Sequence, residues 1–510
     1  MLIGSNGCLL VAAWLGFQPA SPPARPSHDT ATSAGDGATA GVAGDPGVPA
    51  PMGHATRGGL TVDEVARRAR QASPRLAEAG AEREAARARV RAARVGYVPQ
   101  LELSASYTRL SSLSNNLGGS LVGAANEGPL SVGPCPGGGG ECVVDSAGTP
   151  VAAQSLRIDS VDNNYSAALR GRLPLTQWVV QVPAQVRSAK LGVEAAQAQH
   201  DATVRAVEAM AKIAYYDWLR ALTATQVAGA AVDRVAARYR EVSDLASLGA
   251  AGQDDMLRLE RGWLGAKERR SVLAGTEEIA RQKLALELDA PADSLAPGSE
   301  LRGRQRSWPT EESTASLISR ALSQRVELTA LRRGVAALES QERAAKVDAW
   351  PQLDVFGEAL VANPNPRIFP PQPDFEPTWA VGASVTVQLP RVIAAGPQAD
   401  GIAAQRRAQT AAYQSMAREV KLQVVAATVA RRTAVEAIEL AEAQVVAARG
   451  AYEIITARHQ EGQVAVAELI DAEGELVQAE LAVVDAWLRL RRAEVELGFA
   501  VGHDHNKRAP

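Results

Sequence analysis

Two periodicities alternate along the chain. From Val204, steps of three and four land on Val207, Ala211, Ala214, Trp218, Ala221, Thr225, Ala228, Val232, Val235 and Tyr239, and only Thr225 is not apolar. The same stepping from Leu469 gives Ala472, Leu476, Ala479, Val483, Ala486, Leu490, Ala493 and Leu497 without a miss. A seam kept over so many turns predicts helices packed as coiled coils, and large residues alternating with alanine let neighbours approach closely. Residues from Ala184 to Leu248 hold no proline. At ~1.5 Å per residue they predict a helix on the order of 100 Å, several times what a compact domain needs.

Elsewhere the period is two. Leu101, Leu103, Ala105 and Tyr107 alternate with Glu102, Ser104, Ser106 and Thr108. Tyr165, Ala167, Leu169, Gly171 and Leu173 alternate with Ser166, Ala168, Arg170 and Arg172. Leu353, Val355, Gly357 and Ala359 alternate more weakly with Asp354, Phe356 and Glu358, and Trp379, Val381, Ala383, Val385, Val387 and Leu389 with Ala380, Gly382, Ser384, Thr386 and Gln388. These are four strands, each with one polar and one apolar face. Alternation alone fits equally a sheet on a soluble core and a lipid-embedded barrel. Tyr107, Tyr165 and Trp379 near segment ends are placed as interfacial aromatics of a barrel. Four strands cannot close a barrel, and an open edge cannot sit in lipid, so the membrane reading requires three chains and twelve strands.

The pattern is written twice. AARVGYVPQLEL at 92–103 returns as AAKVDAWPQLDV at 344–355, 252 positions on, and the same offset pairs Leu76 with Leu328. Pro99 and Pro351 end the preceding helices. Leu173-Pro174 returns as Leu389-Pro390 at an offset of 216, so the first half carries 36 extra residues between its two strands, read as an exposed loop at 109–160. Gly249 and Gly462 break the two long helical stretches. The division is therefore a first repeat at 60–290, a linker at 291–311, a second repeat at 312–502 and a tail at 503–510.

Composition narrows the class. The 510 residues are 46% hydrophobic, 22% charged and only 4% aromatic, which fits long, thinly packed helices better than a thick core. A net charge of −3 gives no reason to expect nucleic acid as a partner. Leu9 to Phe17 has the apolar core of an export signal within 1–20, but no Lys or Arg precedes it. Cys8 as a lipid-anchor cysteine is a minor alternative, because Ser5-Asn6-Gly7 is a poor context. Residues 21–59, rich in Pro, Gly, Ala and Ser, read as a disordered linker. Cys135 and Cys142 flank a Pro-Gly-Gly-Gly-Gly run where a disulfide closes easily; two free thiols in a loop are the other reading. No stretch of about 18 apolar residues follows the leader, which excludes an inner-membrane pump but not a barrel.

With the duplicated Pro-Gln-Leu strand entries, WAVGASVTVQLP (379–390) and RHQEGQVAVAELIDAEGEL (458–476), the chain resembles the TolC family of outer-membrane efflux proteins over residues 60 to about 502. The resemblance implies a mainly α fold with a membrane β-barrel part. A homotrimer would close a twelve-stranded outer-membrane barrel continued by a long periplasmic α-helical barrel. Leu101, Leu103, Tyr107, Leu169, Val381, Val385 and Val387 would face outer-membrane lipid. A periplasmic membrane-fusion adaptor and an inner-membrane pump of RND or ABC type are the implied partners, with no cofactor bound.

The resemblance also implies a periplasmic gate. Glu468 and Asp471 match the family's acidic pair after the second Gly break, and i, i+3 spacing puts both on one helix face. Six such carboxylates around a narrow lumen would favour cations; first-turn acids that merely complement the helix end are the bland reading. The first repeat has Asp255 and Arg258 there, and Arg258 is expected to pair with an acid of a neighbouring helix and help hold the tip shut. The second strand-to-helix turn, LPRVIAAGPQ (389–398), lacks the family's aromatic and glycines.

Six histidines are scattered, and His503 and His505 in the tail do not close a metal site. Neither a phosphate-binding loop, a nucleophile elbow nor a zinc-protease motif is present, so an enzyme is disfavoured. The competing reading is a periplasmic coiled-coil adaptor or scaffold without a barrel.

Overall fold

The computed structural model describes residues 59–111, 127–135, 137–151, 161–248, 252–298, 312–369 and 371–502, and the backbone alone of 115–122 and 153–158. The leader with Cys8, the segment 21–58, Gly249, the linker residues 299–311 and the tail 503–510 lie outside the described residues.

The repeat is visible element by element. The first half runs α1 (Val62–Ala72), α2 (Pro74–Val95), β1 (Gln100–Arg109), then β2 (Asn115–Val122), β3 (Ser131–Pro134), β4 (Glu141–Val144), β5 (Ala153–Ile158), β6 (Asn163–Pro174), α3 (Val182–Ser247) and α4 (Gln253–Leu288). The second runs α5 (Thr314–Gln324), α6 (Val326–Lys346), β7 (Gln352–Asn363), β8 (Glu376–Thr386), α7 (Leu389–Gln460) and α8 (Val466–Val501). The helices α1, α2, α5 and α6 start 252 apart in pairs, and α4 and α8 start and end 213 apart. Both of the last two close on a left-handed residue, Asp289 (φ 48°) and Gly502 (φ 77°). Asp289 tolerates that conformation because its short polar side chain costs less there than a branched one.

Two helices, not one, precede each strand pair. Pro74 sits at the start of α2 and holds Ser73 extended, so the chain turns between α1 and α2. In the second half Arg325 marks the same turn. It is buried and donates to the carbonyls of Phe499 (3.1 Å) and Ala500 (3.3 Å), satisfying acceptors that the end of α8 leaves open. The insertion at 109–160 is also more than a loop. β2 pairs with β5, and β3 pairs with β4. A disulfide joins Cys135 to Cys142, whose Cα atoms lie 5.2 Å apart, around a tip of positive-φ glycines at 137, 138 and 140.

The four long strands form one antiparallel sheet in the order β1-β6-β7-β8. β1 and β8 are therefore its two edges. The long helices pack by the predicted seams. Val207, Ala211, Ala214, Trp218, Ala221, Ala228 and Val232 are buried on α3, and every second-seam position but Leu490 is buried on α8. The largest core cluster joins α1, α3, α4 and α8 around Tyr215, Trp218 and Leu219. At 66 residues α3 is on the order of 100 Å long. No helix among the described residues is long and apolar enough to cross a membrane.

Candidate functional site

Four surfaces stand out: the two faces of the sheet, the helix end of the sheet, and the far tips of the helical hairpins.

On one face of the sheet the apolar residues are bare. Leu101, Leu103, Leu169, Val381, Val385 and Val387 are each at least half exposed, and Leu103 reaches 80%. Aromatics border this band at both ends. Tyr107 packs on Tyr165 (ring centroids 4.9 Å) and Tyr165 on Phe375 at the loop end, beside Trp379. At the helix end Trp178 donates from Nε1 to the carbonyl of Tyr97 (2.9 Å), and Trp350 is half exposed. This second border was not anticipated, although GYVPQ and DAWPQ carry its signal as an aromatic two or one residues before each proline.

The other face is polar and cross-linked. Arg170 reaches Glu358 (3.1 Å) and Glu102 (4.0 Å), and Arg172 holds the nearly inaccessible Asp354 (2.5 Å). Glu358 also receives Arg367 (2.7 Å) from the β7–β8 loop. Glu102, Arg170 and Glu358 are direct cross-strand neighbours, so their charges alternate across the sheet. Phe356, the aromatic exception on this face, lies over Gly382, where a Cβ would stand 2.7 Å from the ring.

At the far tip, Gly462 takes φ +70° in the turn between α7 and α8, and His459 Nδ1 lies 3.1 Å from the Val464 carbonyl. Glu468 and Asp471 are both exposed on one side of α8, and Glu475 extends their row. Arg258 is exposed on α4 and forms no ion pair within this chain among the described residues. Its neighbour Leu259 is buried against Val242 and Val466, which fixes the α3–α4 tip to the start of α8.

Above the tip lies a charged cluster that the seam pattern conceals. Arg234 of α3 binds Glu473 (2.8 Å) and Glu480 (3.2 Å) of α8, and Arg449 of α7 stands 3.8 Å from Glu480. Both glutamates are buried. Burial works against the Arg234 charge, but Glu473 and Glu480 outweigh it and hold the guanidinium above its ordinary range. Burial, and then the Glu473 carboxylate, push the nearby Tyr452 hydroxyl up.

Among the described residues no group of His, Cys, Asp and Glu has the arrangement of a metal site. A family model described as outer membrane efflux protein matches residues 65–288 and 317–503. Among solved structures, the outer-membrane channel OprN superimposes with a TM-score of 0.68 at 19% identity, over 87% of this chain and 90% of that one. The Campylobacter jejuni CmeC outer membrane channel gives 0.65 at 15% identity (86% and 85% covered). The open state of the Neisseria gonorrhoeae MtrE outer membrane channel gives 0.65 at 19% (86% and 88%). No curated protein matches the chain by sequence.

Proposed function

The chain belongs to the outer membrane efflux protein family, and on that premise we propose that it is one protomer of a homotrimeric, passive conduit from periplasm to exterior. The observation that carries the reading is the sheet: a bare apolar band with aromatic borders, ending on two unpaired edges. In hydrocarbon an unpaired strand edge leaves backbone donors and acceptors unsatisfied at several kcal/mol each, so β8 must pair with β1 of another copy. Three copies give twelve strands, with the charged face lining the lumen.

The repeat supports the same assembly in the helices. On α6 the row Arg333, Ala337, Ser340 and Ala344 runs on to Val347 just past its end: Arg333 binds Glu194 (3.0 Å) and the Ala337 carbonyl accepts from Ser188 (2.9 Å), both of α3, and the last three are buried. The row 252 positions earlier on α2 is Ala81, Ala85, Ala88, Ala92 and Val95, apolar throughout and exposed. α4 repeats the case. Leu257, Leu264, Val272, Ile279 and Leu286 are all more than half exposed, whereas Val477 and Asp485, the α8 counterparts of Leu264 and Val272, face α3. Each bare row finds its seat on α7 of the neighbouring protomer, where Val429 and Leu440 stand exposed in place of the buried Tyr216 and Val227.

In this reading Glu468 and Asp471 form the periplasmic gate, and Arg258 pairs across to the neighbouring chain. A membrane-fusion adaptor and an inner-membrane pump of RND or ABC type supply substrate and energy. A scaffold without a barrel would leave the aromatic-bordered band without a use. The test is reconstitution of the purified chain in a planar bilayer, where long-lived cation-preferring steps are expected and none would sink the proposal. The double variant Glu468→Gln/Asp471→Asn is expected to move the reversal potential in a salt gradient toward zero, since six carboxylates leave the lumen. Arg258→Ala is expected to raise single-channel conductance; an unchanged value ends its assigned role at the tip.

A further inference from the structure

The last two and a half turns of α2 carry Arg87, Arg89, Arg91 and Arg94, and no acidic residue lies between Glu84 and Pro99. All four arginines are exposed, and none forms an ion pair within the chain among the described residues. The matching stretch of α6 is neutralised: Glu339 pairs with Arg343, and Glu342 with Lys346 (2.8 Å). The unbalanced charge thus belongs to the first repeat alone. It ends six residues before β1, directly below the exposed Val98 and the aromatic border of Tyr97, Trp178 and Trp350.

The helix geometry gives its direction. One row of α2, Ala79, Arg83 and Ala86, lies against α3, with Arg83 donating to Gln197 (3.4 Å). The other row, Ala81 to Val95, is the seam to the next protomer. At about 100° per residue the two rows stand roughly 200° apart on one side of the helix and roughly 160° on the other. In a closed ring of helices the wider side is the convex, outer one. Arg87, Arg91 and Arg94 lie on that side, and Arg89 on the narrower, inner side. The α6 counterparts Glu339, Arg343 and Lys346 stay exposed although α6 has neighbours on both flanks, so the arginine face stays open in the assembled wall.

We propose that Arg87, Arg91 and Arg94 form a binding face for anionic phospholipid headgroups of the periplasmic leaflet, three such faces per trimer; this rests on the outer-membrane reading above. The headgroup layer begins where the apolar band and its aromatics end. Guanidiniums of this face bind phosphate oxygens bidentately. Each such charge near an anionic surface contributes about fivefold in affinity, so three give about a hundredfold, screened by salt.

The experiment uses the full-length trimer in neutral detergent, titrated with phosphatidylglycerol or phosphatidylcholine, with bound lipids counted by native mass spectrometry. The wild type is expected to prefer phosphatidylglycerol by about a hundredfold at low salt, and by much less at high salt. Arg87→Gln/Arg91→Gln/Arg94→Gln should remove the preference, the triple lysine variant should keep most of it, and Arg89→Gln should leave it intact. A wild type that binds both lipids equally, or a triple glutamine variant that keeps the preference, overturns the proposal. A chain that never forms a detergent-bound trimer instead overturns the channel reading, and this is seen before lipid is added.

Discussion

Ala85→Glu/Ala88→Glu is expected to leave a monomer where the wild type is a trimer. Both alanines are exposed on α2 within one chain, so the fold of the protomer gives no reason for harm. Glutamate is nearly as good a helix former as alanine, so α2 itself should persist. In the trimer the two positions correspond to Ala337 and Ser340 of α6, which meet α3. A carboxylate forced into such a seam without a partner costs about 3 kcal/mol or more, and two lower association by about four powers of ten per interface. Light scattering of the detergent complex reads the mass, and circular dichroism reads the helix content. A trimeric double variant would remove α2 from the subunit interface, and with it the argument from the repeat.

Arg234→Met is expected to be the most damaging single substitution in the helical part, at about 3–5 kcal/mol. Its guanidinium lies between Glu473 and Glu480, which are 6% and 8% exposed. Removing it leaves two buried carboxylates whose one other ion-pair partner among the described residues is Arg449, 3.8 Å from Glu480, with the neutral Tyr452 hydroxyl beside Glu473. The loss is that of the uncompensated charges, not the net worth of the ion pairs. Arg234→Met/Glu473→Gln/Glu480→Gln should therefore recover most of it, since neutral amides need no counter-charge. Thermal unfolding in detergent compares the three proteins. If the triple variant is as unstable as the single one, the arginine matters for packing rather than for charge.

Much of this was legible before any coordinates. The seams from Val204 and Leu469 identified the buried faces of α3 and α8, because a helix in contact along its whole length must repeat its apolar positions every seven residues. The two Pro-Gln-Leu segments marked where helices yield to strands, because proline cannot continue a helix. Period-two alternation located the four strands and their apolar face, since a strand that meets lipid on one side only has no other pattern open to it. Glu468 and Asp471 were singled out by the family resemblance, since spacing alone fits first-turn acids at a helix end equally well.

What escaped was whatever depends on residues far apart in sequence. Glu473 and Glu480 flank the apolar seam of α8, and only the approach of α3 makes them partners of Arg234. The ladder from Glu102 through Arg170 to Glu358 needed the order β1-β6-β7, which skips the whole insertion. The break between α1 and α2 and the strands inside 109–160 were missed because short elements carry too few periods to stand out. The order of residues along the chain thus determined each element, its apolar face and the duplication, for these are local patterns with a local cause. Which faces meet was decided in three dimensions, where the same positions are covered in one repeat and bare in the other according to which neighbour stands beside them.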